Sequence, residues 1–224
     1  MHGDITETSQ LPGILPMFPL TGALLLPRGR LPLNIFEPRY MAMVDDALGH
    51  NRVIGMVQPV NPEDASWAPE LYPVGCAGRL TSFSETDDGR YLITLTGLCR
   101  FRIKKELETD KAYRQIVPSY APYEMDFSTL GGDNIIDRCR LLRALKSYLN
   151  ARDIEADWSS LETAQPESII NTLAMLCPFC AEEKQALLEA ETLTDRGQAL
   201  LAILELSAAS SSAPGGSTPD TSVN

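Results

Sequence analysis

A chain of 224 residues, 44% hydrophobic and 22% charged, can bury a sizeable core without disulfide or metal staples. Its net charge of −11, with most of the acid excess beyond residue 120, argues against nucleic acid or an anionic membrane as partner, because both are held by clustered lysines and arginines. Apolar runs such as Ala23 to Leu26 are too short to span a bilayer, MHGDITETSQ lacks the basic and apolar regions of a signal peptide, and five cysteines make no even framework; the expectation is a cytoplasmic protein with reduced thiols.

The first twelve residues carry little apolar matter and are expected to be disordered. From Gly13 to about residue 124 short apolar runs alternate with Pro and Gly punctuation, the signature of strands. One helix interrupts them. Pro38 suits the first helical position, Tyr40, Met43, Val44, Ala47 and Leu48 recur at helical spacing, and Gly49 stops the run. Gly78 to Ser84 and Tyr91 to Leu95 flank Asp88-Gly89, a pair suited to a hairpin turn. Strict alternation then places Cys99, Phe101 and Ile103 on one face of a strand and Arg100, Arg102 and Lys104 on a wet face.

Over residues 125–206 the period changes. Ile135, Cys139, Leu142, Leu145 and Leu149 mark a helix from about Asp133 to Asn150. A second begins near Pro166, carries Ile169, Ile170, Leu173 and Leu176, and is ended by Pro178. A third opens at Cys180 with Glu183 in the capping-box position, and a fourth spans about Asp195 to Leu206. Residues 207–224, SAASSSAPGGSTPDTSVN, hold too little apolar area to offset their ordering entropy and are expected to form a disordered tail.

Six pieces in order carry a family resemblance: Leu15 to Tyr40 (LPMFPLTGALLLPRGRLPLNIFEPRY), Ile54 to Pro59 (IGMVQP), Asp87 to Gly97 (DDGRYLITLTG), Arg100-Phe101-Arg102, Cys177-Pro178-Phe179, and Glu182 to Glu189 (EEKQALLE). Together they resemble the N-terminal, substrate-binding domain of Lon protease over residues 13 to 206. The resemblance implies an α+β protein, with a PUA-like β barrel carrying one helix and then a C-terminal four-helix region, acting as a standalone polypeptide-binding protein in protein quality control. Its partners would be unfolded or partly folded polypeptide and a protease or other quality-control factor. Catalysis does not come with the resemblance: the Lon ATPase needs a phosphate-cradling loop ending in Gly-Lys, and that pair is absent from the chain.

Polypeptide recognition points to the segment Phe36 to Tyr40, where a proline-started helix follows a proline-rich loop. Phe36, Glu37, Arg39 and Tyr40 would offer an aromatic and charged edge to an apolar client. The alternative is structural, with Phe36 as a hydrophobic staple and Glu37 and Arg39 as an ion pair fixing the helix. Two other functions compete, a small-molecule binding module and a thiol sensor at Cys177-Pro178-Phe179-Cys180. A C-x-x-C at a helix start can carry a stabilised thiolate, yet this one joins two helices instead of following a strand. A zinc site would need a second ligand pair. Cys76, Cys99 and Cys139 stand alone on apolar faces, and the histidines are His2 and His50. No cofactor or metal is expected.

Overall fold

The computed structural model describes residues 5–64, 66–128, 136–155 and 158–211. Its strands are β1 (Leu15–Pro19), β2 (Arg30–Ile35), β3 (Val53–Val57), β4 (Val74–Glu85), β5 (Tyr91–Leu107) and β6 (Gln115–Ser119), and helix α1 (Pro38–Gly49) lies between β2 and β3. The order β5-β4-β3-β1-β6 closes on itself because β6 also pairs with β5, and β2 is attached to the opposite end of β5. Among the pairings of these six strands, β1–β3 is parallel and the others are antiparallel.

Local chemistry explains these elements. Gly89, at φ +76°, turns the β4–β5 hairpin, where Glu85 pairs with Tyr91. Gly97 marks the middle of β5: a Cβ there would meet the carbonyl of Leu26. Arg28 N donates to Gly97 O, and Gly97 N donates to Gly29 O, both at 2.8 Å, so two residues oppose one in a β-bulge. Arg28 itself is left-handed, φ +65°, and its guanidinium pairs with Glu167. Leu15, Met17, Val53, Ile54, Ala77, Leu95 and Phe101 fill the interior, and Tyr40, Met43, Val44 and Ala47 bury the inner face of α1, as its periodicity requires.

The C-terminal helices are α2 (Arg138–Asn150), α3 (Trp158–Thr163), α4 (Pro166–Leu176), α5 (Ala181–Glu189) and α6 (Leu193–Ser211). Expecting four helices therefore missed α3, which is only 6 residues long and too short to show a period. Asp137 caps α2 by accepting from Arg140 N at 3.0 Å, so the helix begins here; an earlier start at Asp133 lies outside the described residues. Its buried stripe is Leu141, Ala144, Leu145, Tyr148 and Leu149, rotated from the expected one so that Cys139 is exposed. Leu176 also departs from expectation, at 75% exposed. Glu183 accepts from Cys180 N at 2.9 Å and closes the capping box at the start of α5.

The ends differ from the expected disorder where they are described. Residues Thr8–Gln10 form a 3-10 turn, Leu11 is buried, and Tyr120 donates its hydroxyl to Pro12 O at 3.1 Å. Residues 1–4 and 212–224 lie outside the described residues, and α6 continues to Ser211 through the first part of the expected tail.

The largest correction concerns Arg100, placed by alternation on a wet strand face but only 4% exposed. Its guanidinium donates to Asp126 Oδ1 at 2.8 Å, while its backbone N donates to Asp126 Oδ2 at 2.9 Å. It also donates to Leu188 O at 3.1 Å, Ala190 O and Glu191 O, and stacks over Tyr123 at 4.7 Å. The helices cover this face of β5, and period-two alternation cannot reveal what covers a face. Further bonds join the two parts: Lys184 Nζ to Gly22 O at 2.6 Å, Gln185 Nε2 to Val74 O at 3.2 Å, and Asn171 Nδ2 to Pro27 O at 3.2 Å.

Replacing Asp126 by Asn should destabilise the protein by about 3 kcal/mol, since it leaves a buried guanidinium without its counter-charge. Arg100→Met should cost a similar amount because the Leu188 and Ala190 carbonyls lose their donor. In urea melts the double variant should lose clearly less than the sum of the two.

Candidate functional site

The proline-rich turn after β2 and the start of α1 open a groove of about 410 Å³. Phe36, Glu37, Arg39 and Tyr40 all line it, together with Phe18, Leu33 and Ile35 from the strands, Leu20 just after β1, and Pro59, Asp64, Ser66 and Pro69 from the β3–β4 connection. Pro38 places α1 here because it needs no N–H partner in the first turn. Tyr40 is buried, its ring 4.4 Å from that of Phe18, and burial pushes its phenol above the ordinary value. Phe36 is 63% exposed at the groove's edge.

Glu37 and Arg39 form the ion pair that a structural role would require, with Arg39 Nε donating to Glu37 Oε2 at 2.9 Å. Arg39 also stacks 4.5 Å over Tyr40 and reaches Trp67 O at 3.4 Å. Phe36 does not act as a buried staple. The pair orients the rim, and the aromatic side chain stays open to solvent.

The β3–β4 connection forms a flap over this edge. Its neck is tied by Val60 N to Glu70 O at 2.8 Å and Tyr72 N to Gln58 O at 3.0 Å, and Arg114 donates to Pro69 O at 2.7 Å. At the flap's tip Trp67 is 61% exposed. A smaller cavity lined by Met17, Arg39, Tyr40, Trp67 and Tyr113 adjoins the groove. Sequence reasoning missed Trp67 and Asp64. The available signal was a tryptophan set among prolines and acids without periodicity, so that no element could bury it.

The remaining candidates are elsewhere. Cys177 is buried and its thiol is pushed up to about 11, chiefly by burial, whereas Cys180 is exposed and also raised. Helix α5 does not activate either thiol, the reverse of what a redox pair needs. His50 Nδ1 lies 2.7 Å from Asp46 O. Among the described residues no group of three or more His, Cys, Asp or Glu could hold a metal ion, and no helix is long and apolar enough to cross a membrane.

A strand ring packed on a helical half has counterparts among known proteins. The family model of the ATP-dependent protease La (LON) substrate-binding domain matches residues 14–205, and the chain belongs to that family. It is 27% identical over 193 residues to the Lon protease of Desulfosudis oleivorans, covering 81% of this chain and 22% of that protein. With Lon protease 2 of Myxococcus xanthus it is 26% identical over 206 residues, covering 89% of this chain and 24% of that protein. The chain thus spans about a quarter of the length of these relatives. Among solved structures, the Lon N-terminal domain protein from Xanthomonas campestris is similar with a TM-score of 0.59 at 23% identity, covering 84% of this chain and 97% of that one. The N-terminal domain of Mycobacterium avium complex Lon protease gives 0.59 at 16% identity, covering 88% and 98%. Both likenesses concern the fold.

In the native protein a thiol reagent should modify only Cys139 and Cys180, and Cys76, Cys99 and Cys177 should react after denaturation. Cys180→Ser should leave stability unchanged within about 0.5 kcal/mol or raise it, because serine is a good N-cap. Thiol titration and a urea melt check these outcomes.

Proposed function

We propose that this protein binds polypeptide without catalysing a reaction, capturing unfolded or partly folded segments in the groove lined by Phe36, Glu37, Arg39 and Tyr40. The observation that carries this reading is that these residues share one open groove with the exposed aromatic Phe36 at its edge, while a second exposed aromatic, Trp67, lines the smaller cavity beside it. Membership of a substrate-binding domain family supports the same class of ligand. We take the closed strand ring as the PUA-like barrel of residues 13–124, and residues 125–206 as the helical subdomain that stiffens it. The cellular role that fits is an ATP-independent adaptor or regulator in cytoplasmic protein quality control, working beside a protease.

Binding of this kind is an equilibrium capture. A few hundred Å² of client apolar surface at ~25 cal/mol/Å² gives several kcal/mol before the ordering costs of association. The surplus corresponds to weak, rapidly reversible complexes, on the order of micromolar.

Fluorescence anisotropy of a labelled, permanently unfolded polypeptide should show saturable binding, while the native form of the same client and a single-stranded RNA should not bind. Phe36→Ala and Trp67→Ala should each weaken capture by about fivefold or more if these aromatics anchor the client. No binding of the unfolded chain at high micromolar protein would remove this reading.

A further inference from the structure

We propose that the groove selects apolar segments that carry a lysine or arginine, and that Asp64 is the residue that sets this preference. The inference rests on the groove being the polypeptide site, and it deepens that reading by naming the client chemistry.

The charges around the groove are unevenly satisfied. Arg39 is neutralised by Glu37 at 2.9 Å. Arg114 donates to both oxygens of Glu106, at 2.6 and 2.7 Å, and Lys111 pairs with Asp46 at 2.8 Å. Each of these three cations therefore has its own carboxylate and has little left to offer an acidic client. Among the described residues no cation pairs with Asp64. Its Oδ1 accepts from Ser66 N at 2.9 Å, and that backbone bond, the largest influence on it, holds its carboxyl below the usual range. The carboxylate is thus anionic at neutral pH and lines the groove without a cation beside it.

The flap strengthens this bias. Residues 58–73 contain Glu63, Asp64 and Glu70 and no Lys, Arg or His. Trp67, exposed on the same connection, lines the cavity beside the groove, and an ammonium or guanidinium is attracted to an indole face. An apolar side chain entering between Phe36 and Leu33 would thus bring a neighbouring lysine or arginine into the groove that the Asp64 carboxylate lines, with the Trp67 indole in the adjoining cavity. A neighbouring glutamate would meet the same carboxylate with like charge.

The test uses the full chain and two fluorescent peptides with identical apolar residues, one flanked by lysines and one by glutamates. Wild type should bind the lysine peptide at least about threefold more tightly at low salt, the scale of one exposed charge pair, and the gap should narrow at high salt. Asp64→Asn keeps an oxygen for Ser66 N and should lose most of the preference. Asp88→Asn, in the distant hairpin turn, changes net charge equally and should keep it, which separates the local carboxylate from the overall charge of −11. Equal binding of both peptides by wild type, with capture still lost in Phe36→Ala, would overturn the charge preference and leave the groove standing. A preference that survives Asp64→Asn would overturn the role of Asp64. Binding of neither peptide would overturn the groove reading and this inference together.

Discussion

The buried contact between Arg100 and Asp126 is the constraint on which the two halves of this protein depend. Arg100 projects from β5, Asp126 from the 3-10 segment after β6, and the remaining guanidinium hydrogens reach carbonyls at the end of α5. Those carbonyls have no intrahelical donors, and a cation near a helix C-terminus is favoured by the helix dipole. One side chain therefore satisfies a carboxylate and a helix end while stacking on Tyr123. A pair this buried yields little net stability over an apolar replacement. What it does impose is geometry, because any other docking of the helices would leave the charges unmet.

Arg196 extends the same logic. It is buried on α6, donates to Leu187 O at 2.9 Å and Asn171 Oδ1 at 3.1 Å, and burial, followed by the nearby Arg100 charge, pushes its guanidinium down to about 10. Asn171 in turn donates to Pro27 O, next to the Arg28–Glu167 pair. A continuous polar seam thus runs from α6 through α4 to the loop before β2. Since β2 leads directly to Phe36 and α1, the seam and the 17-residue strand β5 hold the groove's floor in register with the helical half. The flap with Trp67 is tied at its neck by backbone bonds and held from outside by Arg39 and Arg114.

What was legible in the sequence were elements whose signals are local. Pro38 with its helical stripe specified α1, Asp88-Gly89 specified the hairpin, and Glu183 three residues after Cys180 specified the start of α5. The groove residues Phe36, Glu37, Arg39 and Tyr40 were legible as an edge because they sit where a loop becomes a helix. Arg100 was misjudged, since alternation separates two faces without saying which of them another layer will cover. Asp64 joins the groove, and Trp67 the cavity beside it, only through tertiary folding, since the chain brings them back to α1 from a connection with no pattern of its own.

The strand next to the groove also limits how the proposed client could be held. β2 pairs with β5 alone, and the Gly97 N to Gly29 O bond fixes the register so that Leu31, Leu33 and Ile35 face their backbone polar groups to β5. Arg30, Pro32 and Asn34 then present theirs to the free edge. Pro32 has no N–H, so the middle of that edge cannot supply the donor that an added strand would need. Strand addition at β2 would therefore lack a donor at its centre, and on the proposed polypeptide-binding reading a client would be held by side chains entering the groove. A site of that kind would read the composition of a client, its apolar and charged side chains, and would tolerate its backbone conformation. That tolerance would suit a binder whose ligands share exposure of their interiors and no single sequence.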